Sequence, residues 1–141
     1  MYKPEDVEKI KEEIKKLIAD EQLSTITRYL QKDHAIEILL LNHVGLGRWK
    51  DAKDFVKSSG KTISDGTWRA RQLELTDLGL AEGKHWRGDL SKKFYVATES
   101  GHKLATLLLQ LYDGFGSYVS KTTPKIKNSD RKISISGETY R

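Results

Sequence analysis

The fold is decided by residues 63–98, ISDGTWRARQLELTDLGLAEGKHWRGDLSKKFYVAT, which carry the signals of a helix followed directly by a β-hairpin. Ser64 is a suitable N-cap, because its side-chain oxygen can accept a hydrogen bond from a backbone N–H of the first turn. Gly79 suits the position after the helix, because glycine adopts the left-handed conformation that other residues resist. Together these signals predict a helix over about residues 65–78, roughly four turns long.

The predicted helix has an apolar face and a mixed face. Trp68, Leu75 and Leu78 fall near one side at helical spacing, which predicts that this side packs on a core. The residues expected off that side are Asp65, Thr67, Arg69, Ala70 and Leu73. Such a helix can pack on a core and still present polar groups outward.

Two short strands are predicted after the helix, over residues 80–87 and 92–98. Gly88 and Asp89 are turn formers between them, and residues 94–97 alternate as in a half-buried strand. The predicted turn is flanked by basic side chains, namely Lys84, His85, Arg87, Lys92 and Lys93.

A family pattern has matches in this stretch. In the first part the matching residues are Ser64, Gly66, Thr67, Arg71, Leu75, Leu78, Gly79 and Leu80, and in the second they are Tyr95, Thr98 and Gly101. The stretch resembles winged helix-turn-helix regulators of the MarR, PadR and HxlR type, in which S-x-G-T-L-x-R-x-L-x-x-L-x-x-x-G-L precedes a wing and Y-x-x-T-x-x-G begins a helix. The resemblance covers roughly residues 34–113, and Gln72 departs from it at a position that is usually apolar.

The rest of the chain predicts further helices. Residues 34–44 are apolar nearly all round, which predicts a central helix that Gly45 and Gly47 end before a short turn or strand at Leu46–Trp49. A second helix is expected over 50–57, with core spacing at Ala52, Phe55 and Val56, and Trp49 is expected to pack at the core or its rim.

Two predicted helices flank this central region. One covers residues 4–21 and begins at Pro4, with favourable i,i+4 pairs between Glu5 and Lys9 and between Glu12 and Lys16. The other begins at the N-cap Thr98 and continues to about Tyr112. Their apolar stripes fit either packing on the same domain or, as the favoured reading, a dimer interface formed by Val7, Ile10, Ile14, Leu17, Leu104, Leu107, Leu108 and Leu111. A helix capped by Ser24 is predicted to continue to about residue 32.

The predicted fold class is mainly α with a small β-hairpin wing, an α+β winged helix-turn-helix with an extra N-terminal helix and a C-terminal dimerisation helix. The expected organisation is an N-terminal helical extension over 1–33, the winged domain with its C-terminal helix over 34–113, and a basic flexible tail over 114–141. A strand-like run at 132–136 has no obvious partner.

Composition restricts the function classes. The chain has no cysteine, which excludes disulfides and thiolate zinc sites and fits a reducing cytoplasm. It has no secretory or membrane-length apolar run, so a cytoplasmic, nucleoid-associated protein with no membrane partner is expected. The 25 Lys and Arg residues against 20 Asp and Glu residues give a net charge of +5, which favours a polyanionic partner.

Signals of enzymatic chemistry are weak. His34, His43, His85 and His102 show neither H-x-x-x-H nor HExxH spacing, and no phosphate-binding glycine loop occurs. The sequence therefore predicts no enzyme, no metal and no cofactor.

Double-stranded DNA is the predicted partner, because basic side chains coincide with the elements that the resemblance would place against DNA. Arg69 could read guanine and the Thr67 methyl group could meet thymine, whereas Arg71 is expected to contact phosphate or to form an ion pair. The wing residues would follow the minor groove or its phosphates, although an isolated lysine is equally well an uninvolved surface charge. The predicted DNA-binding set is Ser64, Asp65, Thr67, Arg69, Ala70, Arg71, Leu73, Lys50, Lys53, Lys61, His85, Arg87, Lys92 and Lys93.

The resulting hypothesis is a homodimeric, sequence-specific transcriptional regulator that binds double-stranded DNA through a helix at about 65–78 and a wing at about 84–93. Two alternatives remain: a DNA-binding adaptor of plasmid partition or chromatin organisation, and a winged-helix protein-interaction module. In these readings another protein of a transcription or partition complex is a further candidate partner.

Overall fold

Six α-helices and one antiparallel hairpin form the chain over residues 2–87 and 89–116, the part that the computed structural model describes. The elements are α1 (Pro4–Ala19), α2 (Glu21–Leu30), α3 (Ala35–His43), α4 (Trp49–Ser58), α5 (Asp65–Asp77), β1 (Ala81–Trp86), β2 (Asp89–Ala97) and α6 (Glu99–Leu111), followed by a π-helical turn (Tyr112–Gly116). The predicted class, mainly α with a hairpin between two helices, is confirmed. The chain divides into two compact units, Met1–Ala105 and Thr106–Arg141.

The signals at both ends of α5 act as predicted. The Thr67 backbone N–H donates to Ser64 Oγ at 3.1 Å, and Gly79 has a φ of 76°. Thr98 then connects the end of α5 to the beginning of α6. Its hydroxyl donates to the Gly79 carbonyl at 2.7 Å and accepts from the Gly101 backbone N–H at 3.1 Å. The two ends of the hairpin are therefore held together at Thr98, which contacts both the end of α5 and the first turn of α6.

The first strand of the hairpin is shorter and the second is longer than the sequence predicts. Its ladder runs regularly from the pair Ala81 and Ala97 to the pair His85 and Lys93, and then shifts so that Trp86 lies opposite Asp89. The prediction that Asp89 is a turn residue and that the second strand begins at residue 92 is therefore wrong. At the register shift β2 contains extra residues relative to β1, and strand pairing resumes beyond them at Trp86 and Asp89.

The core is built around α3. It contributes four fully or nearly fully buried apolar side chains, which confirms its predicted central place. The buried apolar residues as a whole are Tyr29, Ala35, Ile38, Leu39, Leu41, Ala52, Val56, Ile63, Trp68, Leu75, Leu80, Ala81, Ala97 and Ala105.

A glycine in the loop after α3 allows a close approach between that loop and β2. A Cβ at Gly47 would overlap the Tyr95 carbonyl, and the Tyr95 backbone N–H donates to the Gly47 carbonyl at 2.9 Å. Residues 46–48 are therefore a loop joined to β2, and not the strand that the sequence allowed.

A buried amide pair joins α3 to α5. Asn42 Nδ2 donates to Gln72 Oε1 at 2.7 Å, and Gln72 Nε2 donates to Asn42 Oδ1 at 2.8 Å. Asn42 is 2% exposed and Gln72 is 0% exposed. Gln72, which departs from the apolar family pattern, is thus a core residue whose polar atoms are paired across the helix interface.

Three sequence predictions about the surface helices are wrong. Phe55 is 54% exposed, because Ala52 and Val56, one turn apart, form the narrow stripe of α4 that is buried. The cap of α2 is Asp20 and not Ser24, since Asp20 Oδ1 accepts from the Leu23 backbone N–H at 2.8 Å and the helix begins earlier. The ion pairs along α1 join residues three apart, namely Glu8–Lys11, Glu12–Lys15 and Glu13–Lys16, and not the predicted i,i+4 pairs.

The predicted basic tail begins within the π-helical turn, which includes Gly114 and Gly116. The remainder of that tail, with the strand-like run at 132–136, lies outside the described residues.

We predict that Gln72→Leu lowers the free energy of unfolding by about 1–3 kcal/mol, because it leaves the buried Asn42 amide without its partner. The double variant Asn42→Leu with Gln72→Leu should recover most of this loss, because both polar groups are then removed from the core. Urea unfolding of the two variants and the wild type measures the difference. A double variant no more stable than Gln72→Leu alone would contradict the assigned pairing.

Candidate nucleic-acid interface

One stripe of α5 is exposed and carries two charged side chains and one apolar side chain. Asp65, Arg69 and Leu73 follow one another at helical spacing and are all exposed, whereas Thr67 and Ala70 are half-buried. Arg69 Nη2 lies 2.9 Å from Asp65 Oδ2, and the Arg69 side chain is 73% exposed. Trp68, Gln72 and Leu75, on the adjacent side of the helix, are buried in the core. The stripe therefore lies on a helix whose neighbouring face is anchored in the core.

Arg71, also predicted to contact DNA, points to a different neighbour. Its Nε donates to the Asp33 carbonyl at 3.1 Å, its guanidinium pairs with Glu74, and its side chain is only 17% exposed. The ion-pair alternative for Arg71 is thus the one that the geometry supports. The structure does not bring this side chain to the stripe formed by Asp65, Arg69 and Leu73.

A polar cluster, which we call the α2–α5 clamp, consists of Tyr29, Lys32, Arg71 and Glu74. The Tyr29 hydroxyl donates to the Arg71 carbonyl at 3.1 Å, and Lys32 Nζ lies 2.5 Å from Glu74 Oε2. The partners are 42 residues apart in sequence, so no local pattern could have indicated them. The clamp borders a cavity of about 370 Å³ that Thr25, Arg28, Asp77 and Leu78 also line.

Two cations of the clamp, Lys32 and Arg71, share one carboxylate, Glu74. Burial raises the pKa of Glu74, but hydrogen bonds from Lys32 and Arg71 outweigh it and hold that pKa below its ordinary value of 4.5. The stabilisation from these ion pairs is therefore present above pH 4.5 and is lost as the pH falls through the lowered pKa. Burial, assisted by the Glu74 charge, raises the pKa of the Tyr29 hydroxyl, which accordingly stays a neutral donor.

The predicted lysines before α5 are all exposed, namely Lys50, Lys53 and Lys61. Lys53 Nζ lies 5.8 Å from the centre of the Trp49 ring, and that ring packs 5.6 Å from the ring of Trp68. Trp49 is therefore a packing residue at the join between α4 and α5, as expected.

The hairpin carries exposed basic and aromatic side chains together. His85, Arg87, Lys92 and Lys93 are exposed as predicted. Trp86, which no sequence pattern singled out, is 48% exposed and has the Arg87 guanidinium 5.6 Å from its ring centre. The signal that could have found it is an indole next to a turn in a strand of otherwise polar residues.

The predicted dimer residues on α1 are accessible. Ile14 and Leu17 are 48% and 58% exposed, whereas Val7 and Ile10 are half-buried. None of the 16 residues of α1 is buried in the part of the chain that the structure describes. Within the second unit, Leu107 and Leu111 are exposed and Leu108 is half-buried; Leu104, in the first unit, is half-buried.

The histidines do not form a metal-binding cluster. His43 and His102 bring their Nδ1 atoms within 2.7 Å, and His34 Nδ1 lies 2.8 Å from Glu37. Among residues 2–87 and 89–116, no group of three or more His, Cys, Asp or Glu side chains could hold a metal ion. Over the same residues, no helix has the length and apolar character needed to cross a membrane.

The sequence matches no protein-family model, and comparisons with curated proteins and with solved structures give no significant match.

We predict that Arg71→Ala lowers the free energy of unfolding by about 1.5–3 kcal/mol, because hydrogen bonds from its charged group join α5 to Asp33 and Glu74. Arg69→Ala, two residues away and exposed, is the matched control and should change stability by no more than about 0.5 kcal/mol. Urea unfolding measures both. Equal effects would show that the clamp does not hold α5.

Proposed function

We propose that the protein is a homodimeric, sequence-specific regulator of transcription that binds double-stranded DNA through a winged helix-turn-helix domain. The observation that carries this proposal is the placement of α5. Its inner side is fixed by Trp68, Gln72 and Leu75, its outer stripe is exposed, and a basic hairpin follows it directly. A helix that reads base edges needs a rigid support behind it and a free face in front.

In this proposal α5 enters the major groove. The Arg69 guanidinium, which pairs with Asp65 in the free protein, can exchange that partner for the O6 and N7 atoms of guanine. The exposed Leu73 offers an apolar contact to a thymine methyl group. Arg71 supports the helix from behind through the α2–α5 clamp and does not contact bases.

The hairpin serves as the wing and provides most of the sequence-independent attraction. β1, β2 and the two residues between them carry four cations, Lys84, Arg87, Lys92 and Lys93, against two carboxylates, Glu82 and Asp89. Cations that replace condensed counterions on phosphates raise affinity for every sequence equally. The wing thus sets affinity and α5 sets specificity.

Dimerisation follows from the exposed apolar stripe on α1. A groove of about 330 Å³ is lined there by Ile10, Ile14, Leu17 and Leu23, with Glu13, Lys16 and Asp20 at its polar edge. An apolar stripe with a polar rim is typical of a protein–protein interface. A two-fold dimer would bind a palindromic site and act by competing with, or recruiting, the transcription machinery.

Two exposed apolar side chains favour a second candidate, a winged-helix module that binds a protein. Phe55 on α4 is 54% exposed and Leu73 on α5 is 56% exposed. A protein partner would cover both. In that case polar substitution at these positions would abolish partner binding, while duplex DNA would not bind specifically.

We predict different signatures for the two DNA-binding elements once a preferred duplex has been selected from a random pool. Arg69→Ala should lose about 1–3 kcal/mol on the selected duplex and little on a random one, because it removes a base contact. Lys92→Ala with Lys93→Ala should weaken both duplexes and lower the slope of log K against log salt concentration by up to about two units. Fluorescence anisotropy titrations at several salt concentrations measure both. An unchanged salt slope in the lysine variant contradicts the role of the wing, and equal losses in the arginine variant contradict base reading by α5.

We predict that the intact protein is a dimer at micromolar concentration and that Ile14→Ser with Leu17→Ser converts it to a folded monomer. The two side chains are exposed in the single chain, so their loss should weaken the interface without removing core contacts. Lys15→Ser on the same helix is the matched control and should leave the mass unchanged. Sedimentation equilibrium decides the matter, and a monomer mass for the wild type would contradict the dimer.

A further inference from the structure

Trp86 is the exposed aromatic side chain at the end of the hairpin. It closes β1 directly before Arg87, whose φ of 48° begins the turn. The alternation of strand side chains and the pairing of Lys84 with Phe94 place Lys84, Trp86 and Phe94 on one face of the hairpin. Nearly half of the Trp86 surface is accessible, at 48%. This face therefore presents a large flat ring at its outer end.

Neighbouring side chains position the ring and leave about half of the Trp86 surface accessible. The centres of the Trp86 and Phe94 rings are 6.2 Å apart with an interplanar angle of 68°, an edge-to-face contact that supports the indole. The Arg87 guanidinium lies 5.6 Å from the Trp86 ring centre. That cation lies over the ring as a cation–π partner, and it can pair with the phosphate of a nucleotide that stacks on the accessible part of the indole.

The hairpin that carries Trp86 has an excess of cations, which favours an anionic occupant. Lys84 lies on the same face and Arg87 is the next residue, whereas His85 and Lys93 pair on the other face and Asp89 lies opposite Trp86. A nucleotide satisfies both requirements of this surface, because its base has a flat aromatic face and its phosphate is negative. An acidic peptide satisfies the charge but offers no face for stacking unless it also carries an aromatic residue.

We infer that Trp86 stacks on an unpaired base, so that the hairpin prefers DNA with a locally unstacked nucleotide to a continuous duplex. This inference rests on the proposed function, because it assumes that the hairpin contacts DNA. In a continuous duplex both faces of each base are covered by its neighbours, and inserting a side chain between them requires unstacking. An unpaired base has no such requirement, and its stacking on an aromatic side chain is worth roughly tenfold in affinity.

The test compares two bulged duplexes that differ only in the stacking base. One carries a single unpaired adenosine, and the other carries an abasic nucleotide at the same place, so that backbone charge and bend are matched. Fluorescence anisotropy should show that the wild type binds the adenosine bulge about tenfold more tightly than the abasic bulge. Trp86→Leu, which keeps an apolar contact with Phe94 but has no aromatic face, should reduce this ratio to about one.

Two further variants separate stacking from charge and from loss of structure. Trp86→Phe should keep most of the preference, because phenylalanine still stacks. Lys92→Ala with Lys93→Ala should weaken binding to both bulged duplexes and leave the ratio unchanged.

Three results would overturn the inference: equal binding of the two bulges by the wild type, retention of the ratio in Trp86→Leu, or loss of the ratio in Trp86→Phe with an unchanged circular dichroism spectrum. Equal binding of both bulges together with selective binding of a continuous duplex would leave the proposed function in place and remove only the stacking role. Absence of binding to every DNA would remove both.

Discussion

Gln72 can be buried in the core only because Asn42 faces it with the complementary amide. Each side chain donates to and accepts from the other, and a change at either one leaves a buried polar group unpaired. Dispersion between apolar side chains is tolerant of small rotations, but a reciprocal amide pair fixes the rotation of α5 about its axis relative to α3. That rotation decides which stripe of α5 is exposed, so the surface carrying Arg69 depends on a contact in the core.

The α2–α5 clamp acts on the same helix from its other side. Lys32 and Arg71 both pair with Glu74, and the Tyr29 hydroxyl donates to a backbone carbonyl of α5. An exposed ion pair adds little stability, but here the guanidinium of Arg71 is mostly buried and is also bonded to a carbonyl. The clamp therefore orders the end of α2 against α5 and makes this part of the N-terminal extension a support of the candidate site.

Local signals in the sequence predicted the elements well, whereas contacts between distant residues were not predictable. Ser64, Gly79 and Thr98 mark their helix ends by chemistry that acts within three or four residues, and the structure uses each of them as expected. The orientation of the Arg71 side chain depends on its hydrogen bond to the Asp33 carbonyl, 38 residues away in sequence. The spacing of residues along α5 therefore left the role of Arg71 open. The prediction that Phe55 packs in the core was wrong for a related reason. Periodicity indicates which face of a helix is buried, but it does not give the width of the buried stripe.

The distribution of charge divides the work between the two elements of the candidate site. α5 carries two arginines and three carboxylates, and its exposed Arg69 is already paired with Asp65, so in the proposed function this helix would attract DNA weakly by charge alone. The hairpin has the excess of cations. In the proposed function, α5 would gain little affinity on a wrong sequence, because Arg69 must give up Asp65 and gains only where guanine replaces that partner. Under that proposal, discrimination at α5 and affinity at the hairpin would be complementary consequences of one arrangement of charges.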